Sequence, residues 1–231
     1  MRIGIMQPYF MPYIGYFQLI KAVDRYVIYN DVNYIQRGWV ARNNLLIGKK
    51  KQLFSISLQG ASQNKHFTEI VVMDDFRKLI KTLAQNYVKA PYFHPIMSLM
   101  DAIFAFPEKR LDLFLANSIK QVLSYLNIQT GLILSSDIPK DNSLKGEDKI
   151  LAICKSLQAD TYCNAIGGQA LYDKKRFADN GISLFFLKTN EDLFYPQFPG
   201  MRFVPNLSII DVLMFNSPEE VNRLLDQYQL L

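Results

Sequence analysis

Short apolar stretches alternate with amphipathic ones along the C-terminal half of this chain, and that alternation restricts the fold more than any other feature. Leu132–Leu134, Thr161–Cys163 and Leu184–Leu187 read as strands. Between them, Glu147–Leu157 places Ile150, Leu151, Ile153 and Cys154 on one side of a helix, and Gln169–Phe177 is largely helical. Strands separated by helices pair in parallel, with the helices covering the sheet faces. The chain opens the same way. Met1–Met6 is a buried strand, a loop rich in proline and aromatic residues follows, Gln18–Ala22 is helical, and Tyr26–Tyr29 is a second strand. An insertion then intervenes. Trp39–Ile47, a Gly-Lys turn and Gln52–Leu58 predict a β-hairpin, and Phe67–Met73 predicts a further strand. Asp74–Tyr87 has helical spacing, Pro91 and Pro95 break the chain, and Leu111–Leu126 is a long amphipathic helix. Ser217-x-x-Glu220 is a capping box opening the last helix. We expect one α/β domain over residues 1–231. Its Rossmann-like, mainly parallel sheet is flanked by helices and carries the inserted β-hairpin and helical segment.

Charged residues make up 20% of the chain and aromatics 13%, which fits a packed core rather than a disordered chain. No apolar run reaches the roughly 20 residues of a membrane span. No basic segment followed by an apolar one marks a secretory signal. Cys154 and Cys163 have no metal-binding or disulfide spacing, so a cytoplasmic, reducing location is expected. The net charge of +5 favours anionic partners, and part of it sits in a solvated turn at Lys49–Lys51. Nothing matches a nucleic-acid-binding motif, which argues against such a partner while leaving tRNA open. His66 and His94 have no spacing suited to a triad or a metal, so no metal ligands are assigned. The sequence names no cofactor.

Four segments carry candidate chemistry. In the first loop, Gln7, Tyr13, Gly15 and Tyr16 follow the first strand, where an α/β protein places its ligand crevice. Phe10 and Phe17 are assigned to packing. Tyr13–Ile14–Gly15–Tyr16 resembles the His-x-Gly-His position of Rossmann-like nucleotidylyltransferases, with phenols replacing both imidazoles. A phenol can donate to a phosphate or ribose oxygen but is no acid near neutral pH, so this pattern favours nucleotide binding over adenylyl transfer. Gly15 would admit a phosphate close to the backbone. The second segment holds Asn30 and Asp31 at the end of a strand, then Trp39, Arg42, Asn43 and Asn44. A carboxylate there can accept from sugar hydroxyls, Arg42 offers a planar fork and Trp39 a stacking face. Strand alternation puts Arg42 and Val40 on one face, with Trp39 and Asn43 toward the other. In the third, Asn164 ends a strand before Gly167 and Gly168. The fourth contains Tyr195 and Gln197, followed by Ser208-x-x-Asp211, which reads as a helix N-cap with an acid in the first turn. Tyr13, Asp31, Arg42 and Asn164 are expected to converge in one cleft.

MQPYFMPYIGYFQLI at residues 6–20, W-x-x-R-N at Trp39–Asn43, YCNAIGGQALY at 162–172, and YPQF with FVPNLSIIDVLMFN at 195–216 together resemble the WbqC-like family. Its members occur in bacterial O-antigen and related surface-polysaccharide gene clusters. Family members usually carry asparagine before the arginine, where this chain has Ala41. The resemblance implies a transferase that moves an acyl or aminoacyl group onto a nucleotide-linked amino sugar in O-antigen or lipopolysaccharide assembly. Its partner would be a nucleotide-sugar or another phosphate-bearing small molecule. On that reading Gln7, Tyr13, Gly15 and Tyr16 contact the nucleotide, while Trp39, Arg42, Asn43, Asn164, Gly167, Gly168, Tyr195 and Gln197 contact the substrate. Asp31 takes any acid/base role. The alternative is a non-catalytic nucleotide- or sugar-binding partner of an assembly complex.

Overall fold

The computed structural model describes residues 1–231. Strands β1 (Arg2–Met6) and β2 (Arg25–Ile28) flank helix α1 (Ile14–Lys21). The insertion comprises β3 (Arg42–Ile47), β4 (Lys50–Ser55), β5 (Leu58–Gln59), β6 (Val71–Val72), α2 (Arg77–Tyr87), α3 (Phe93–Phe104) and α4 (Leu111–Tyr125). The alternation resumes with β7 (Gly131–Leu134), α5 (Gly146–Ser156), β8 (Thr161–Ala165), α6 (Lys174–Asp179) and β9 (Ser183–Thr189). Helices α7 (Ile209–Phe215) and α8 (Pro218–Leu225) and strand β10 (Tyr228–Leu230) complete the chain.

The main sheet has the order β10-β9-β8-β1-β2-β7, parallel throughout except for β10, which pairs antiparallel with β9. The chain runs outward from β1 through β2 to β7, then crosses back to place β8 and β9 on the other side of β1. The order therefore reverses between β1 and β8, and doubly wound sheets bind ligands beyond the strand ends at such a point. Successive strand residues face opposite sides. Tyr26, Ile28 and Cys163 join α1 and the insertion in a core cluster of 47 buried residues. Ile3, Ile5, Val27 and Tyr162 meet α5 and α6 in a cluster of 14, so the α1 face carries the main core.

Local chemistry explains where the elements stop. Gly48 and Lys49 both have positive φ (58° and 62°), as a two-residue turn between β3 and β4 requires. Ser217 and Glu220 form both bonds of the capping box on α8. Other boundaries differ from the expectation. Helix α1 starts one turn before Gln18, because Tyr13 is already the extended residue preceding it. The Phe67–Met73 strand shrinks to a 3-10 turn at Phe67–Glu69 and the two-residue β6. Pro95 does not end a helix; it sits in the first turn of α3, where the missing N–H has no intrahelical partner to lose. Gln169–Phe177 divides into the end of a 3-10 segment, Ile166–Leu171, and the start of α6.

Candidate functional site

Three hydrogen bonds assemble the walls of a cleft beside the first loop. Met11 has positive φ (45°), and its carbonyl accepts from Asn43 Nδ2 (2.8 Å) and Ser208 Oγ (2.6 Å). The Ser208 N–H donates to the Asn44 carbonyl at 2.8 Å. Strand β3, the loop after β1 and the entry to α7 are thereby locked together. The cleft they enclose has a volume of about 290 Å³ and is lined by Tyr9, Pro12, Tyr13, Trp39, Asn43, Asn44, Lys51 and Asn206. Three ring faces, three amides and one ammonium meet there. Tyr9 and Tyr13 have phenol pKa values raised by burial, so both are hydrogen-bond donors at neutral pH.

Of the residues singled out in the sequence, the cleft brings together Tyr13, Trp39, Asn43 and Asn44. Arg42 faces away from it: its Nε donates to the Gly38 carbonyl (2.8 Å) and its Nη2 to the Arg37 carbonyl. The guanidinium also lies 5.7 Å from the Trp39 ring centroid, so its fork is spent on fixing the turn that carries Trp39. Tyr16 is fully buried, donates to the Gln7 carbonyl (3.0 Å) and packs on Tyr9, Phe17 and Tyr26. Gly15 is approached by protein atoms, since a Cβ there would sit 2.5 Å from the Tyr13 ring and 2.8 Å from Thr189 Oγ1. Gly15→Ala should therefore push the Tyr13 ring into the cleft. We expect a fold that survives with altered near-ultraviolet circular dichroism, and ligand affinity reduced by about tenfold or more, the cost of a small overpacking. Unchanged affinity would show that Tyr13 is not part of the binding surface.

Asp31 and Asn164 lie elsewhere. Asp31 follows β2, and its carboxylate receives Lys140 Nζ (2.8 Å), Lys149 Nζ (3.0 Å) and the Ser135 hydroxyl. Burial alone would raise its pKa, but these three donors outweigh it and hold the carboxyl below the usual range. A carboxylate so occupied is a weak base. Asn164 caps its own strand end by accepting from the Ala165 N–H (2.8 Å), and a Cβ on Gly168 would lie 2.5 Å from its Nδ2. Gly168 thus makes room for Asn164, whereas Gly167 is exposed and open. The expected convergence of Tyr13, Asp31, Arg42 and Asn164 is not what the fold makes. Tyr195 and Gln197 also serve an internal partner. With Tyr87 they donate to the buried Asp211 carboxylate, at 2.7 Å (Tyr195), 2.9 Å (Gln197) and 2.8 Å (Tyr87). Ser208 caps α7 through the Ile210 N–H (3.3 Å), while the Asp211 side chain is turned to those donors and not to the cap.

The cleft also contains Tyr9, Pro12 and Asn206, to which the sequence assigns no role, and Lys51, which it places in a solvated turn. Tyr9 and Asn206 stand inside motifs already noted. Lys51 had a signal in strand alternation, since it pairs with Leu46 across the hairpin and is not part of the turn itself. Cys154 and Cys163 are buried in clusters on opposite faces of the sheet, and burial raises their thiols to about 12 and about 11. No three histidine, cysteine or acidic side chains are grouped to hold a metal ion. No helix is long and apolar enough to cross a membrane.

The sheet order defines a doubly wound α/β protein, and the ring- and amide-lined cleft lies beside the loop that follows β1. The model of the WbqC-like protein family matches residues 7–223, and the chain belongs to that family. The chain is similar to "Uncharacterized protein Rv1507c" of Mycobacterium tuberculosis (strain ATCC 25618 / H37Rv), with 27% identity over 220 residues covering 93% of each protein. No solved structure matches it.

Proposed function

We propose that the protein binds a nucleotide-linked amino sugar in the cleft and transfers an acyl or aminoacyl group to its amine, in the cytoplasm, during surface-polysaccharide assembly. The observation that carries the binding half is the cleft lining. Flat rings at Tyr9, Tyr13 and Trp39 suit the faces of a base or sugar ring, the amides of Asn44 and Asn206 suit hydroxyls, and Lys51 suits a phosphate. The Asn43 amide is held by the Met11 carbonyl and the Asn44 N–H. The transfer half is supported by family membership and by the resemblance described above. In that step the amine lone pair attacks the carbonyl of an activated acyl donor, a thioester or an aminoacyl ester. The amide C–N bond forms, the donor's C–S or C–O bond breaks with its electron pair, and the amine proton leaves with the thiol or alcohol. Free, buried cysteines are in keeping with a reducing compartment.

Trp39 is the single tryptophan of the chain and half-exposed in the cleft, which makes its fluorescence a direct reporter. Titration with nucleotide-sugars should change Trp39 emission saturably and raise the melting temperature, because a ligand of the folded state alone stabilises it. Lys51→Ala should weaken a diphosphate-bearing ligand about fivefold, the ~1 kcal/mol of an exposed charge contact. Silence of Trp39 and an unchanged melting temperature with every nucleotide-sugar would refute the reading. A second reading, a binding protein without turnover, is favoured by one feature: the cleft wall offers no carboxylate, imidazole or thiol. Saturable Trp39 binding with no amide product, by mass spectrometry, from any activated acyl donor would decide for it.

A further inference from the structure

Asn206 lines a second space as well as the cleft. Behind it lies a chamber of about 330 Å³ beyond the C-terminal end of β9. The wall between the two is made by consecutive residues, with Tyr13 on the cleft side and Ile14 on the chamber side. Its apolar lining is Leu193 and the Phe203 ring, both partly exposed, over a buried floor of Leu207, Val212 and Tyr195 that adjoins Ile14. Its polar atoms come from Thr189, Asn190, Glu191 and Asn206. The one carboxylate of the lining, Glu191, is largely exposed to solvent and paired with Lys188 at 2.7 Å, so it sits at the mouth of the chamber and not against its apolar floor. Thr189 gives its proton to Gln18 Oε1 (2.6 Å), so its hydroxyl does not donate into the chamber.

We propose that this chamber binds a short, uncharged aliphatic acyl group, with its carbonyl toward the Asn206 amide and its chain against Leu193, Leu207 and Val212. The volume is at the small end of ligand sites, which span roughly 300–1,000 Å³, and suits a group of a few carbons. That this is the group delivered to the sugar amine rests on the reading of the cleft given above. Asn206 favours it, because it lines both spaces, so its amide is placed to touch an acyl carbonyl from the chamber and a sugar amine from the cleft.

The test uses the full chain with methyl-labelled Ile, Leu and Val, followed by NMR, with isovaleramide, propionamide and acetamide as probes. Saturable shifts of the Ile14, Leu193, Leu207 and Val212 methyls are expected with isovaleramide. Affinity should fall about fourfold for each carbon removed, the fold-change of ~0.8 kcal/mol per buried methylene. Leu193→Phe, which fills the chamber from a half-buried loop position, should abolish those shifts; if that variant fails to fold, the probe series on the native chain decides alone. Absence of saturable methyl shifts would overturn the proposal. So would tighter binding of the cationic L-leucinamide than of isovaleramide, which would assign the chamber to an ammonium-bearing group. Chamber shifts with isovaleramide but no Trp39 response to any nucleotide-sugar would leave the acyl site standing and remove the sugar reading of the cleft.

Discussion

Asp31→Asn should destabilise the protein by about 3–5 kcal/mol, the usual cost of stripping one partner from a buried ion pair. The side chains of Lys140 and Lys149 are only 1% and 7% exposed, and both ammoniums reach the same Asp31 oxygen. Asparagine keeps the volume but leaves two buried positive charges without an anion. Lys149 retains its bond to the Asp31 backbone carbonyl (2.6 Å), so the loss isolates the charge and not the whole contact. Chemical denaturation at pH 7 measures it, and a loss below about 1 kcal/mol would show that water screens the cluster. Lys149→Met in the Asp31→Asn background should restore part of the stability, as a double-mutant cycle would report. The acid limb carries a second signature. Because the folded-state pKa lies below the ordinary carboxylate value of 3.8, the contribution of Asp31 is complete above that value and is lost as the pH falls through the lower folded pKa. In the asparagine variant that part of the acid dependence should vanish.

That cluster also shows where sequence reasoning stops. The sheet was legible because each strand and helix announces itself locally: the alternation from Gly131 to Thr189, the Gly48–Lys49 turn and the Ser217–Glu220 box are all short-range signals. Strand β10 was not, since three residues near the chain end acquire strand character only by pairing with β9. Helix α3 was hidden by Pro95, whose meaning depends on whether it falls in the first turn. The site follows the same division. The rings of the first loop and the Trp39–Asn43 segment are visible as residues, but the partners that give each polar group its role come from far along the chain. Asp31 meets Lys140 and Lys149, and Asn206 joins Tyr13 across the fold. No local pattern says whether a polar side chain faces a ligand or an internal partner, which is why Arg42, Tyr195 and Gln197 read as ligand contacts.

Tyr195 and Gln197 lead to the second large effect. Asp211→Leu should cost about 3–5 kcal/mol, because roughly 1–3 kcal/mol attends each buried donor left without an acceptor, and the Tyr87 and Tyr195 hydroxyls both lose theirs. Leucine fills the space, so a cavity does not account for the loss. Gln197 keeps its bonds to Val204, donating to its carbonyl (3.1 Å) and accepting from its N–H (2.9 Å), and the loop that carries Asn206 is loosened at Tyr195 first. Ligand response of Trp39 should therefore weaken in this variant even where the fold is still fully populated. Adding Tyr195→Phe should recover part of the stability, because replacing both sides of a buried hydrogen bond by apolar groups can be nearly neutral. The Tyr87 hydroxyl is left in place because it also accepts from the buried Leu46 N–H at 2.8 Å. Failure of the Asp211→Leu, Tyr195→Phe double variant to recover any stability would show that Asp211 acts through packing and not through the Tyr195 hydroxyl. The pH sense is opposite to that of Asp31. Burial raises the Asp211 carboxyl despite the pull of Tyr195, Gln197 and Tyr87, so its contribution is present at low pH and is lost as pH rises through the folded value. Asp211 thus cannot be the cause of acid unfolding, and acid sensitivity that persists in Asp211→Leu but disappears in Asp31→Asn would assign it to the lysine cluster.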